Sequence, residues 1–458
     1  MDATEPGAGF PDPELFSVRD CDGYLAHLCA VSMQEQLVLA CADVRNEFGI
    51  LLLREGTPLG SHALQRLQGH RLNRPLDEAF TLRLAPDPAG LAHQIIACAA
   101  AEADLAAITQ LQGLEEHLLR LCEACDLPRP LLQKFAVLQR ALPHVHHRAL
   151  FSVWLCVALA RARGLTDADA GLLVLAALLH DIGFLHLAPG LSVRREDITP
   201  TDFVALREHP RRSADVIAQS WPEAPERLLR IVAEHHERHD GAGYPAGTEA
   251  SAQDPLSGIV GLADMLHALR FDPTQERVTS LVDCLPFLRV NRRTWGIGNY
   301  RPAARILLAA RAVAPPPGSN PPPSAQGLMD ANRSLGQIIA LIPSARAVLG
   351  PLGDNRAARS LMQLLEELES TSRAAGLGSE TLSASLQENL REGRTDPGLE
   401  DVALTLRESL WLVRRADRQL RELQQERQRE PDAPDLKDLS LRVRSELTRA
   451  WRRFEHPH

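Results

Sequence analysis

The sequence predicts a mainly α-helical protein, with a central all-helical bundle, a small N-terminal α+β domain and a C-terminal helical region. Leucine and alanine dominate the 458 residues and aromatic residues make up only 4%, a composition that favours helices. Apolar residues recur at helical spacing from about residue 91 onward. A chain of this length, with 45% hydrophobic and 24% charged residues, is globular and too long for one ordinary core.

The N-terminal part of the chain has a mixed pattern. Residues 1–14 contain three prolines and two glycines without periodicity, which predicts a loose tail. Residues 15–90 are predicted to form the α+β domain. Within it, two strand-like runs at 36–44 and 50–57 flank a turn, as in a β-hairpin. A short helix is predicted to follow, beginning at Ser61.

Residues 91–312 are predicted to form the helical bundle. Thr166 offers an N-cap to a helix predicted at 167–180. This helix is apolar almost all round, so we predict that it is buried at the centre of the bundle. Its C-terminal end carries the adjacent pair His180 and Asp181.

Three further helices of the bundle carry polar residues. They are predicted at about 203–219 with His209, at about 228–236 with His235 and His236, and at 259–269 with Asp264. The two adjacent histidines share a helix face with apolar residues and are therefore expected to point toward the core. A lone His209 is more often a surface or capping residue. Asp264 lies in an apolar helix, where an unpaired carboxylate costs several kcal/mol.

The bundle is predicted to end at a proline-rich linker, residues 313–325, which is semi-rigid and extended. Residues 326–458 are rich in leucine, arginine and glutamate and are predicted to form a C-terminal helical domain. Neither flanking region has a motif with catalytic chemistry. We expect both to be regulatory or dimerising, by analogy with other attachments to an effector domain.

Charge and hydropathy argue against several partners. The formal net charge of −9 gives no basic field for a nucleic acid polymer. No continuous apolar run approaches the roughly 20 residues that span a bilayer, so no membrane association is expected. The first residues lack the basic start and apolar core of a signal peptide. The eight cysteines are scattered, as in a reducing compartment, and a cytoplasmic location is expected.

Six residues have the chemistry of a hydrolytic metal centre. They are His180, Asp181, His209, His235, His236 and Asp264. Imidazole and carboxylate groups suit divalent Fe, Mn, Zn, Ni or Co. An adjacent His-Asp pair gives one ligand to each of two ions, or lets the carboxylate bridge them. Two ions a few Å apart hold the attacking and leaving oxygens of a phosphodiester in line.

The longer motifs resemble those of the HD-GYP family, a branch of the HD metal-dependent phosphohydrolases. The matching segments are His180-Asp181-Ile182-Gly183, His209-Pro210, His235 to Pro245, and Ala263-Asp264-Met265, within about residues 130–310. The resemblance implies an all-helical domain with a two- or three-metal centre. It also implies hydrolysis of cyclic di-GMP, a bacterial second messenger of signal transduction, to linear dinucleotide or GMP.

The resemblance carries family roles over to individual positions. It implies that the six residues are metal ligands, with Asp181 also catalytic. We expect two divalent ions per chain, Fe or Mn before Zn, Ni or Co. The loop residues Asp240, Gly241, Gly243, Tyr244 and Pro245 are implied to shape a loop beside the site. In the family this loop is linked to contacts with partner proteins.

The sequence departs from the family pattern at positions that matter. Phe184 stands where the family has a lysine that meets a substrate phosphate. The position of a further histidine ligand falls on Arg148, while a one-residue slip places His147 there and turns the side chain by about 100°. Arg148 and Arg270 are candidates for phosphate contacts, because guanidinium groups bind phosphate in bidentate fashion.

Two functions therefore follow from the sequence. The first is a metal-dependent phosphodiesterase that acts on cyclic di-GMP or a related nucleotide, motivated by the six ligands and the intact Gly-Tyr-Pro loop. The second is a catalytically degenerate domain of the same family that signals through protein contacts, motivated by Phe184 and Arg148. The sequence leaves open the metal, the base of the substrate and the oligomeric state, a homodimer included.

Overall fold

The computed structural model of the protein describes residues 16–17, 22–35, 38–67, 69–73, 79–82, 87–187, 206–239, 241, 243–271, 280–291, 294–309, 325–352, 355–374, 376–392, 398–427, 441–446 and 449. The predicted tail at 1–14 and all but one residue of the predicted linker at 313–325 lie outside these residues. The described residues are mainly helical with few, short strands, which confirms the predicted fold class.

The helices are α1 (Asp22–Glu35), α2 (Ser61–Leu67), α3 (Pro88–Ala100), α4 (Ala103–Gln112), α5 (Leu114–Glu123), α6 (Arg129–Ala141), α7 (Pro143–Arg163), α8 (Asp167–Leu179), α9 (His209–Ser220), α10 (Glu226–Glu234), α11 (Ser257–Arg270), α12 (Leu285–Val290), α13 (Ile297–Ala309), α14 (Ala325–Ile339), α15 (Ile342–Leu349), α16 (Arg356–Ala374), α17 (Glu380–Glu392) and α18 (Gly398–Arg427). Short 3-10 turns include Ile182–His186 and Leu281–Cys284. The strands are β1 (Phe16–Ser17), β2 (Val38–Ala40), β3 (Val44–Arg45), β4 (Leu51–Leu53), β5 (Arg71–Leu72) and β6 (Phe80–Leu82).

The strands near the N-terminus form the predicted hairpin, with one further partner. Strand β3 pairs with β4 beside the turn. Farther from the turn, the Ala40 N–H donates to the Thr57 carbonyl at 2.9 Å and the Gly56 N–H donates to the Ala40 carbonyl at 2.7 Å. Strand β2 also pairs antiparallel with the distant strand β6, with Val38 opposite Leu82. The helix predicted from Ser61 is confirmed as α2.

The described residues belong to two compact units, each treated separately below. The first unit comprises Met1–Ala99, Leu114–Ala160 and Leu165–His235; the second comprises Ala100–Gly113, Arg161–Gly164 and His236–His458. The domain boundaries predicted from the sequence remain predictions.

Helices α7 and α8 form the centre of the first unit. Every residue of α7 from Ala149 to Ala160 is buried. The predicted N-cap of α8 is confirmed, because the Thr166 hydroxyl accepts a hydrogen bond from the Asp169 backbone N–H at 3.2 Å. Helix α8 is buried continuously from Leu173 to Leu179, as its apolar sequence predicts. This packing fixes the end of α8, where the His-Asp pair follows.

The second unit contains α11 and the C-terminal helices. Helix α11 is buried almost throughout. The C-terminal helices share a leucine-rich core, with Leu335, Leu406 and Leu410 at or below 1% exposure. The buried Asn332 amide donates to the Ser379 carbonyl at 3.0 Å and accepts from the Gly378 N–H at 2.6 Å. These bonds hold the start of α17 against α14.

Two described helical stretches are long and apolar enough, by length and composition, to cross a membrane. They are Asp167–His186 and Gln326–Leu352, and the bent pair α3 and α4 would count as a third. The expectation that no stretch reaches this length is therefore wrong, because it considered only unbroken apolar runs. The first stretch is 72% buried inside the protein, so core packing accounts for its apolar sequence.

Candidate metal centre

The His-Asp pair lies where α8 changes into a 3-10 turn. His180 caps the helix, Asp181 precedes the turn Ile182–His186, and both side chains are 0% exposed. The backbone N–H of Gly183 donates to the Ser213 hydroxyl of α9 at 2.9 Å. A Cβ at Gly183 would lie 2.8 Å from the His209 carbonyl oxygen. The absence of a side chain at Gly183 therefore lets the turn approach α9.

His209 is the first residue of α9, whereas the sequence predicts a helix that begins earlier and carries it inside. The next residue is Pro210. Proline has no backbone N–H to donate to a preceding turn, so it is common in the first turn of a helix and suits a helix that begins at His209. The ring of Phe184 stacks on the His209 ring, with centroids 4.4 Å apart and an interplanar angle of 25°. Phe184 thus covers a face of this imidazole instead of supplying a cation.

His235 caps α10 and is fully buried, as its place on the apolar helix face predicts. The adjacent His236 is only partly buried, with 21% of its side chain exposed. The prediction that both histidines point into the core is therefore wrong for His236. Helix α10 ends at Glu234, so the second histidine no longer follows the helical spacing on which the prediction rests.

Three buried imidazoles each contact a backbone carbonyl through Nδ1. The Nδ1 atoms of His180, His209 and His235 each lie 2.6–2.8 Å from the backbone carbonyl three residues earlier, at Ala177, Leu206 and Val232 respectively. A carbonyl only accepts, so in the neutral ring each Nδ1 carries the proton and each Nε2 carries the lone pair. Backbone contacts of this kind commonly fix the orientation of metal-bound histidines.

The three Nε2 atoms converge on Asp181. The Asp181 carboxylate lies 3.3 Å from His180 Nε2, 3.1 Å from His209 Nε2 and 3.8 Å from His235 Nε2. The Nε2 atoms of His209 and His235 are 3.3 Å apart. Two lone pairs at this distance repel unless a cation lies between them, either a proton or a metal ion. This donor set therefore fits a divalent metal.

Asp181 also accepts a hydrogen bond from Arg148. The Arg148 Nη1 atom lies 3.0 Å from Asp181 Oδ2, and the arginine side chain is 20% exposed. Burial alone would raise the pKa of the Asp181 carboxyl. When no metal ion is bound, protonated His180, Arg148 and a hydrogen bond from protonated His209 outweigh burial and hold this pKa well below its usual range. Asp181 is therefore ionised at neutral pH, as a metal ligand must be.

The structure places Arg148 beside the His-Asp pair. Among the described residues, the groups of convergent ligand atoms do not include His147. The preceding His146 is buried against the Phe135 ring. Burial lowers the pKa of His146 to about 4 and His147 adds to the effect, so His146 is a neutral core residue. The role of His147 as a metal ligand stays a prediction.

The remaining two predicted ligands face each other in the second unit. His236 Nε2 lies 3.8 Å from Asp264 Oδ2, and the Asp264 side chain is 8% exposed. The ring of Tyr244, from the Gly-Tyr-Pro loop, stacks on His236 with centroids 4.6 Å apart. The loop therefore orients one of the predicted ligands.

The Gly-Tyr-Pro loop is held by Glu237, a residue of the long motif to which the sequence assigns no role. Its buried carboxylate accepts hydrogen bonds from the backbone N–H groups of Ala246, Gly247 and Thr248 at 2.7, 2.7 and 2.9 Å. A Cβ at Gly243 would clash with backbone atoms of His236, Glu237 and Arg238. Gly241 has a positive φ of 69°, and the Tyr244–Pro245 peptide is cis. Asp240 lies outside the described residues.

Replacing Glu237 with glutamine is expected to loosen this loop. Glutamine keeps the size but has one acceptor oxygen, so at least one of three backbone N–H groups loses its bond. Hydrogen exchange of residues 246–248, followed by mass spectrometry, is expected to be about 10-fold faster, the equivalent of one lost hydrogen bond. The exposed Glu249→Gln is the matched control. Equal exchange in both variants would show that Glu237 does not hold the loop.

Arg270 is engaged by acidic residues of the second unit. Its Nη2 atom lies 2.7 Å from Glu102 Oε2, and its Nε atom lies 3.5 Å from Asp104 Oδ2. The Asp104 carboxylate also accepts the backbone N–H of Leu281 at 2.8 Å. These contacts neutralise the guanidinium and tie together three segments of the second unit. These contacts give Arg270 a structural role, and its contact with substrate stays a prediction.

Comparison with known proteins is consistent with this geometry. Residues 135–295 match the HD domain family, whose members bind divalent metal ions. The chain is 29% identical over 106 residues to the cyclic di-GMP phosphodiesterase response regulator RpfG of Xanthomonas campestris, covering 23% of this chain and 28% of that protein. It is 30% identical over 115 residues to 3'3'-cGAMP-specific phosphodiesterase 1 of Vibrio cholerae, covering 25% and 26%.

The chain thus spans little more than a quarter of the length of these curated relatives. A solved structure of Bd1817, a HDG"Y"P protein from Bdellovibrio bacteriovorus, aligns with 59% of this chain and 95% of its own at 18% identity, with a TM-score of 0.34. The described residues hold His and Asp side chains grouped closely enough to bind a metal ion.

Proposed function

Because the central domain of this chain belongs to the HD-GYP family, we propose that the protein is a metal-dependent phosphodiesterase that hydrolyses a cyclic dinucleotide. The convergence of three Nε2 lone pairs on the Asp181 carboxylate carries this proposal. Such a set of donors is costly to bury without a cation, since the imidazoles and the carboxylate lose their hydration. A bound divalent metal supplies stabilisation of charge on phosphate oxygens and a nucleophile from water at neutral pH.

The residues of the chain have separate parts in this activity. His180, His209 and His235 hold the metal with their tautomers fixed by backbone carbonyls. Phe184 and the neighbouring buried apolar residues exclude water from one side of the centre. In the second unit, His236 and Asp264 form a separate pair of possible ligand groups. Arg148 is a fixed cation beside Asp181.

We propose cyclic di-GMP as the substrate, with linear dinucleotide or GMP as the product. The relatives support a cyclic dinucleotide as the substrate. They do not distinguish its bases, because they are named for both cyclic di-GMP and 3'3'-cGAMP. A cytoplasmic location, a homodimer, and contacts between the Gly-Tyr-Pro loop and partner proteins remain part of the proposal.

For the metal, Fe or Mn is proposed first, and Zn, Ni or Co also suits imidazole and carboxylate ligands. If two ions were bridged by the Asp181 carboxylate, both of its oxygens would have to be available to metal. One of these oxygens is bound by Arg148, so the count depends on this residue.

A catalytically degenerate signalling module is the second candidate, and Phe184 favours it. A phenylalanine stacked on His209 cannot bind a substrate phosphate in place of lysine. The loss slows turnover without abolishing it if the metal provides most of the charge stabilisation. The two candidates therefore differ in whether a product forms.

The test is hydrolysis of cyclic di-GMP by the full chain, prepared without oxygen and loaded with Fe(II) or Mn(II). Product formation, its loss on chelation, and its return when metal is restored are expected. 3'3'-cGAMP assayed in parallel reports on the base. A chain that retains metal but yields no product from either nucleotide after long incubation would establish the signalling module instead.

A further inference from the structure

The two oxygens of Asp181 face different chemical groups. Oδ1 faces two imidazole nitrogens, His209 Nε2 at 3.1 Å and His235 Nε2 at 3.8 Å. Oδ2 faces one imidazole nitrogen, His180 Nε2 at 3.3 Å, and the guanidinium of Arg148 at 3.0 Å. The Oδ1 side therefore offers three ligand atoms, whereas the Oδ2 side already holds a cation.

A guanidinium cannot serve as a metal ligand. All its nitrogens are donors, and its pKa is too high for deprotonation in a protein. Arg148 is largely buried, so water screens its charge only weakly. A divalent ion bound through Oδ2 would have to displace its hydrogen bond and lie within a few Å of its positive charge. Both effects oppose a second ion at this carboxylate.

We propose that Arg148 takes the place of a second metal ion, so that Asp181 binds a single ion through Oδ1 and does not bridge two. The inference rests on the metal centre of the proposed function. His180 stays within reach of the ion, because the ligand atoms of His180, Asp181 and His235 lie within 4.8 Å of one another. Arg148 retains one positive charge on the Oδ2 side without requiring metal from solution.

The charges around the centre support the replacement of a second metal ion by Arg148. A lysine at position 184 would add a cation to the turn after Asp181, but Phe184 is apolar and covers His209. The cation comes instead from Arg148 of α7, which donates a hydrogen bond to the Asp181 carboxylate. A phosphate group that binds at the centre would then meet one metal ion and one guanidinium. Guanidinium is well suited to bind phosphate.

The experiment counts manganese and measures its magnetic coupling. The full chain is stripped of metal, reconstituted with Mn(II), desalted, and examined by elemental analysis and electron paramagnetic resonance. Wild type is expected to hold one Mn per chain with an uncoupled spectrum. Arg148→His supplies an imidazole where the guanidinium was, so it is expected to hold two Mn per chain with an exchange-coupled spectrum.

Two further variants separate the causes. Arg148→Gln removes the guanidinium without adding an imidazole, so it is expected to gain a second Mn that binds more weakly than in Arg148→His. A count that stays at one would show that a missing ligand, and not the guanidinium, excludes the second ion. Arg161→His places an imidazole at an exposed position of the same helix and is expected to remain at one Mn. Circular dichroism verifies that each variant is folded. The Mn count and the paramagnetic resonance spectrum of wild type test the proposal even if a variant does not fold.

The outcomes distinguish this inference from the proposed function. A coupled pair of Mn ions in wild type would overturn the role of Arg148 and leave the phosphodiesterase intact. One Mn in both wild type and Arg148→His would show that the arginine is not what excludes the second ion. No bound Mn in any variant would overturn the metal centre itself.

Discussion

Asparagine at position 181 is expected to strip the protein of metal and to lower phosphodiesterase turnover by about 10²–10³-fold. The amide keeps the shape of the side chain but has no negative charge to bind a cation. It would also remove the Asp181 carboxylate from the partly buried Arg148 guanidinium, which costs more than the loss of a neutral hydrogen bond. Metal content per chain and the initial rate of cyclic di-GMP hydrolysis measure the two effects.

A matched substitution lies at the other end of α8. Asp167→Asn removes an exposed carboxylate that pairs with Arg120 at the surface, and such pairs contribute little to stability. This variant is expected to retain its metal and its turnover. Full metal content in Asp181→Asn would contradict the assignment of Asp181 as the central ligand.

Alanine at position 183 is expected to destabilise the first unit and weaken metal binding by about 10–100-fold. The new Cβ would lie 2.7 Å from the Ser213 backbone nitrogen and 2.8 Å from the His209 carbonyl oxygen. Backbone atoms cannot move aside cheaply, so the turn and α9 must separate. Overpacking of this kind typically costs about 1–3 kcal/mol, and it displaces His209. Thermal unfolding and a metal titration report the two effects.

The same substitution at Gly171 is the control. This glycine lies inside α8, and an added Cβ would meet nothing within 4 Å. Alanine there is expected to stabilise the helix by up to about 1 kcal/mol, because it costs less conformational entropy than glycine. If the two variants had the same unfolding temperature and metal affinity, the close approach of the turn to α9 would not matter.

The features that the sequence predicts well are local ones. The Thr166 cap and the burial of α8 follow from a capping hydroxyl and an apolar run, both of which act within a few residues. The hairpin of the runs at 36–44 and 50–57 is local as well, but the additional pairing of Val38 with Leu82 is not. That contact lies far along the chain, and periodicity within one segment holds no information about it.

The candidate site divides in the same way. Motif spacing identifies His180, Asp181, His209 and His235, which the structure brings together. The choice between His147 and Arg148 depends on the phase of α7, and one residue of helical phase turns a side chain by about 100°. Sequence spacing alone does not fix that phase.

Two roles could not be predicted because they depend on tertiary contacts. In the sequence, Arg270 is a candidate for phosphate contacts. Only the folded chain brings Glu102 and Asp104, at the start of α4, against it. Glu237 stands in a conspicuous motif, yet its three backbone partners form only when the loop at 246–248 returns to it. A carboxylate between two histidines and an arginine gives no sign of this role in the sequence.

Anomalous X-ray scattering from crystals of the Mn(II)-loaded protein tests the central claim most directly. The account predicts one strong peak beside Asp181 Oδ1, about 2.0–2.3 Å from the Nε2 atoms of His209 and His235. Arg148 is expected to retain its hydrogen bond to Oδ2. A peak remote from Asp181, or no peak at these three atoms in metal-loaded crystals, would contradict a metal centre at the His-Asp pair.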